Sequence, residues 1–190
     1  MNFSLRVGSP LDGTSDTAKF LGVYLDKKLT WEEHAINLGK RLPKIIFLIK
    51  NLTKSMSIST VLAAYHSYFV SVASYSILNW GHSPHSSMIF KLQRRCVRVM
   101  AGLKYRECCR CKFIELGILT LPCIYMLQCL VYTKRNINLY STHSDNHEYN
   151  TRSNSNLALR FLRLARSRNG SGYYGPKLFN GLPFLIFGGR

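Results

Sequence analysis

Acidic side chains are scarce in this chain. Nine Asp and Glu stand against 26 Lys and Arg in 190 residues, a formal net charge of +17. Two-metal phosphoryl transfer needs carboxylates that converge on a pair of cations, and here they are dispersed. The adjacent pair Glu32-Glu33 falls on the first turn of a predicted helix, where the helix dipole accounts for it. Asp12 and Asp16 sit in a Gly/Ser loop, and Asp26 stands alone. A phosphate-cradling glycine loop and a Gly-x-Ser-x-Gly elbow are also missing. Long apolar runs are few. Val61 to Trp80 carries no Lys, Arg, Asp or Glu, but it holds His66, Asn79 and four serines. A buried helix of a bundle explains that stretch better than a bilayer does, so no membrane association is expected. Met1 to Gly13 lacks the apolar core of a secretory signal. The expected location is therefore intracellular, and the six cysteines are expected to be free thiols.

The hydrophobic share, 46%, suits a folded domain and is too high for disorder throughout. The charge excess points to a polyanionic partner, nucleic acid first, held through phosphate contacts and counterion release. It is unevenly spread. Residues 1–80 contribute +4, residues 81–140 contribute +8 and residues 141–190 contribute +5. The middle third is the first place to look for a phosphate-binding face.

Residues 3–7 and 19–25 read as two strands joined by a Gly/Ser/Asp/Pro loop. Thr30 has the character of a helix N-cap, with Glu33 completing a capping box. Trp31, Ala35, Leu38, Leu42, Ile45, Ile49 and Leu52 then recur at helical steps, and Pro43 predicts a kink or break. A second, central helix is expected over 57–79, with Ile58, Leu62, Tyr65, Phe69 and Val72 on one face. A third runs from about Pro84 to a C-cap at Gly102, along Ile89, Leu92, Cys96 and Val99. A short helix over 111–116 and a long one over 122–135 follow. Residues 141–156 are polar and read as a linker. Residues 157–164 suggest a strand or short helix, and 173–182 a last short helix.

On the third helix, Lys91, Arg94, Arg95 and Arg98 share one face opposite the apolar line. Four like charges there repel one another and answer to phosphates spaced along a backbone. Lys40, Arg41 and Lys44 form a smaller patch on the first helix. Lys104, Arg106, Arg110 and Lys112 continue the charge beyond the third helix. Arg160, Arg163, Arg166 and Arg168, near Tyr173 and Tyr174, mix charge with rings as single-strand binders do. Cys108, Cys111, His143 and His147 mimic a Cys-x-x-Cys…His-x-x-x-His zinc set, but their halves stand much farther apart than in a compact finger.

Several phrases together resemble one family. Lys19-Phe20-Leu21-Gly22-Val23-Tyr24-Leu25-Asp26, followed by Leu29-Thr30-Trp31 and His34, is similar to the end of the palm and start of the thumb in reverse transcriptases of non-LTR (LINE-like) retrotransposons. Trp80-Gly81 with Lys91-Leu92-Gln93-Arg94-Arg95 and Arg98 resembles a later phrase of that family. So do Phe113 with Glu115 to Pro122, Tyr149 to Arg152, and Gly175 to Pro183. The resemblance implies that Phe20, Leu21 and Gly22 belong to a primer-grip hairpin. It implies that the helices after Thr30 form a thumb holding a template–primer duplex of RNA and DNA. The family's palm, with its Asp-Asp pair and Mg2+, is not in this sequence, nor are the fingers. No cofactor and no catalytic residue is therefore expected in this chain. The missing palm and fingers become expected partners, and the location becomes cytoplasmic and nuclear.

The expected fold is α+β and mostly α. A β-hairpin within 1–29 leads to a helical thumb-like bundle over 30–140, a polar linker over 141–156 and a loose basic tail over 157–190. The expected function is template–primer binding without polymerisation. The rivals are an inert remnant of a truncated element, a repurposed nucleic-acid binder that could use zinc, and a free-standing enzyme.

Overall fold

The computed structural model describes residues 17–145, 154–163 and 170–182. The chain is α+β and mostly helical. It opens with an antiparallel hairpin of β1 (Thr17–Phe20) and β2 (Val23–Asp26), in register Thr17 to Asp26 and Phe20 to Val23. The stretch expected as one strand over 19–25 is thus folded back on itself at Leu21-Gly22. The expected strand over 3–7 lies outside the described residues.

Helix α1 (Glu32–Leu52) follows, and it runs unbroken through Pro43. Its start differs from the expected capping box. Trp31 is the N-cap, in left-handed conformation and with no side-chain capping bond. Asp26 takes over the role: its carboxylate accepts from the Thr30 N–H and hydroxyl, each at 2.7 Å, and from the Trp31 N–H at 2.8 Å. Ala35, Leu38, Leu42, Ile46 and Ile49 are buried along α1.

The helix expected over 57–79 is divided. Ser57 caps α2 (Ile58–Ala64), a π-helical turn spans Tyr65–Val70, and α3 (Ser71–Ser74) completes the rod. Extended Tyr75 and left-handed Ser76 then break it before α4 (Ile77–Trp80). The buried residues explain the π turn. Val61, Tyr65, Phe69 and Ala73 recur at steps of four. A step of four overruns a 3.6-residue turn by about 40°, so three steps drift by about 120°. The additional residue of a π turn takes back about 100° and keeps the row facing the core.

Helix α5 (Ser86–Met100) ends at Gly102 as expected, the Leu103 N–H reaching back to the Arg98 carbonyl at 2.9 Å. Helix α6 (Arg110–Glu115) is short. Helix α7 (Leu121–Arg135) is capped by Thr120. The core joins α1, α2, α5 and α7 around Tyr65, Phe69, Trp80, Ile89 and Val97. At its centre is an amide. Gln93 Nε2 donates to the Tyr65 hydroxyl and the Leu119 carbonyl, each at 2.9 Å, and Oε1 accepts from the Leu121 N–H at 2.7 Å. One buried side chain thereby fixes α5 against the π turn and the entry of α7.

The described part of the tail is tied down rather than loose. Helix α8 (Ser171–Asn180) packs on α7. Gly175 makes this possible, because a Cβ there would collide with the Thr133 hydroxyl. Tyr174 stacks on Tyr125 with ring centres 6.0 Å apart. The Asn180 amide brackets the Leu157 backbone, accepting from its N–H and donating to its carbonyl at 2.9 Å each. Thr142 and Leu157 pair as an antiparallel bridge, so the ends of the polar segment meet. Its residues 146–153 lie outside the described set.

Candidate nucleic-acid interface

Helix α5 turns Ile89, Gln93, Cys96, Val97 and Met100 inward. The expected apolar line is therefore rotated: Leu92 and Val99 are only half-buried, and polar Gln93 and Val97 take the interior places. Lys91, Arg94 and Arg95 are exposed on the far side. Arg98 is half-buried, and its Nε donates to the Glu107 carbonyl at 2.9 Å. That bond spends part of its guanidinium on holding the loop after α5. Among the described residues the one ion pair is Lys112 with Glu115, at 2.6 Å. The α5 cations are thus not neutralised by a carboxylate there. Arg94 also borders an apolar pocket of 720 Å³, with Arg110, Phe90, Phe113 and Ile118.

Lys40, Arg41 and Lys44 are exposed on α1. They line a groove of 310 Å³ with Lys19 and Tyr24 of the hairpin. Lys19 Nζ lies 5.6 Å from the centre of the Tyr24 ring. His34 lines the same groove, buried, and its Nε2 has no hydrogen-bond partner. Burial pushes the imidazole below its ordinary range, so it is neutral at pH 7.

Phe20, Leu21 and Gly22 form the hairpin tip. Leu21 (φ 46°) and Gly22 (φ 81°) are both left-handed, as the tight two-residue turn of a hairpin requires. Glycine accepts this freely, whereas leucine is strained by about 1–2 kcal/mol. The Leu21 side chain is nonetheless 74% exposed, and Phe20 is 51% exposed. The Tyr75 hydroxyl donates to the Leu21 carbonyl at 2.8 Å, anchoring the tip to the break after α3. Leu29 and Trp31 are left-handed too, so strain concentrates between the hairpin and α1.

Asp26 governs this corner. Burial alone would raise its pKa, but bonds from the Thr30 side chain and backbone and from the Trp31 backbone outweigh it, holding the carboxyl at about 2. Ser83 Oγ donates to the Thr30 carbonyl at 3.2 Å and ties the corner to the loop before α5.

The six cysteines are free thiols. Burial pushes Cys96 up to about 12 and raises Cys129, so both stay protonated. Cys108 and Cys111 are exposed and His143 is half-buried, while His147 lies outside the described residues. Among the described residues, no group of three or more His, Cys, Asp or Glu could hold a metal ion. No helix among them is long and apolar enough to cross a membrane.

Spacing along one helix revealed the α5 cations and the α1 patch. It did not reveal that Lys19, Tyr24 and His34 close around the latter, because that depends on how β1 and β2 lie against α1. Compared with protein-family models, curated proteins and solved structures, the chain matches none.

Proposed function

We propose that this chain binds a template–primer duplex of RNA and DNA, as the thumb and C-terminal part of a non-LTR retrotransposon reverse transcriptase. The observation that carries the reading is the outer side of α5. Lys91, Arg94 and Arg95 are exposed there and unneutralised among the described residues, on a chain of net charge +17. Such a helix reads phosphate rather than base sequence. The exposed, strained tip at Phe20, Leu21 and Gly22 is consistent with a primer-grip role. Nucleotide addition would come from a palm and its carboxylates, outside this chain, and these regions are the protein partners of the reading.

Fluorescence anisotropy with a labelled RNA–DNA hybrid, across a salt series, tests it. Neutralising about four phosphates gives a log–log slope near −3.6. Saturable binding that ignores salt would remove the mechanism. Aggregation without saturable binding would favour an inert remnant. Primer extension with this chain alone and Mg2+ should yield no product; any product would overturn the account of the site.

A further inference from the structure

The groove between the hairpin and α1 has two physical features that one ligand would resolve. The first is charge. Lys19, Lys40, Arg41 and Lys44 line a space of 310 Å³, and among the described residues no carboxylate lines it. Four like charges on one concave surface repel one another and favour an anion beside them. The second is a missing hydrogen bond. His34 is 3% exposed, and its Nε2 is buried with no partner. An unpaired buried polar group of this kind costs about 1–3 kcal/mol. The ring is held in place: Trp80 meets it edge-on at 5.6 Å. A water molecule would answer the second feature and leave the first. An anion with oxygen acceptors answers both.

We propose that this groove is a binding site for a phosphate group carrying two negative charges, a phosphomonoester or an oligophosphate. On binding, a small shift of the ring brings Nε2–H of neutral His34, closed to solvent in the structure, to a phosphate oxygen. Lys40, Arg41 and Lys44 from α1 and Lys19 from β1 supply the countercharge. A backbone diester carries a single charge and leaves most of that countercharge unused. The same chemistry is found in a free oligophosphate and in the terminal phosphate of a nucleic-acid strand. The inference stands apart from the duplex reading, which rests on α5.

The test uses the full chain and pyrophosphate as the probe, followed by long-range 1H–15N NMR of the histidine rings, at about 100 mM salt. Saturable binding that moves the His34 Nε2 signal is expected. The Lys40→Ala/Lys44→Ala variant changes exposed positions only and should weaken pyrophosphate at least about tenfold. Lys91→Ala/Arg94→Ala should leave it unchanged. His34→Leu should weaken it as well, in a buried place that accepts an apolar side chain. Unsaturable binding, a motionless His34 signal at saturation, or equal losses in the α1 and α5 variants would each overturn the site. A 5′-phosphorylated hexanucleotide that outcompetes its 5′-hydroxyl counterpart identifies a strand end as the source. Pyrophosphate binding without that preference identifies a free oligophosphate. A hybrid duplex with hydroxyl ends separates the two ideas: it tests α5 and leaves the groove untouched.

Discussion

The two cationic regions have similar composition and different construction. On α5, Lys91, Arg94 and Arg95 diverge from the outside of one helix, and the helix is held from behind by a neutral amide, Gln93. Beside α1, four cations from two elements converge on a groove, and the corner that builds it hangs on a carboxylate, Asp26. Diverging charges suit a long, curved polyanion. Converging charges suit a small one. The supports differ as well: an amide holds at any pH, whereas a carboxylate holds only while ionised. Arrangement, rather than the count of basic residues, is what separates the two.

The largest expected effect comes from removing the amide. Gln93→Leu leaves the Leu121 N–H and the Tyr65 hydroxyl without their partner, and urea denaturation should show a loss of about 2–4 kcal/mol. The loss should be the same at pH 4 and pH 7. If Gln93→Leu is neutral, α5 is positioned by packing alone and the contrast with Asp26 fails. Next in size is Lys91→Ala/Arg94→Ala/Arg95→Ala. Three lost phosphate contacts flatten the salt slope for hybrid duplex by about 2.7. Pyrophosphate binding in the groove should not change.

This division also marks what the sequence made legible. Helical periodicity placed α1, α5 and α7, because each buries a stripe long enough to declare its period. It misjudged the rod at α2 and α3, because a row at steps of four fits neither a straight α-helix nor a strand, and the π turn that reconciles it leaves no residue signature. It put Leu92 rather than Gln93 in the α5 interior, because an amide counts as polar until its three partners, distant in sequence, are known. It gave the N-cap to Thr30, because a local capping box is visible in one dimension and a cap from Asp26 is not. The tail read as loose for the same reason: Gly175 against Thr133 is a contact between distant segments. The α5 cations were legible because one helix carries them all. The groove was not, since β1, β2 and α1 share it.

Asp26→Asn sharpens the contrast at the other support. The folded carboxyl sits at about 2 against an ordinary 3.8, so its bonds stabilise the chain above pH 3.8 and fade as pH falls toward 2. Allowing for solvent screening, the asparagine variant should lose about 1–2 kcal/mol at pH 7. The gap from the parent chain should shrink to a few tenths of a kcal/mol at pH 2, where the folded carboxyl is half ionised. A gap that persists there at its full size would mean that the asparagine amide disrupts the corner for reasons other than charge.

The smallest effect is expected at the hairpin tip. Leu21 sits at φ 46°, where a Cβ is penalised, yet its side chain is largely exposed and contributes little to the core. A residue that strains the backbone without burying surface has no folding reason to be leucine. Leu21→Gly relieves the strain, though it also frees the unfolded chain, so a net gain of a few tenths to about 1 kcal/mol is expected. Leu21→Ala keeps the strain and removes only the exposed side chain, so its stability should stay close to the parent's. If the leucine serves a ligand at the tip, both variants weaken hybrid-duplex binding together while only glycine stabilises. If duplex affinity follows neither substitution, the tip does not take part in binding. The duplex contacts would then rest on α5 alone, and the resemblance to a primer grip would carry no functional weight.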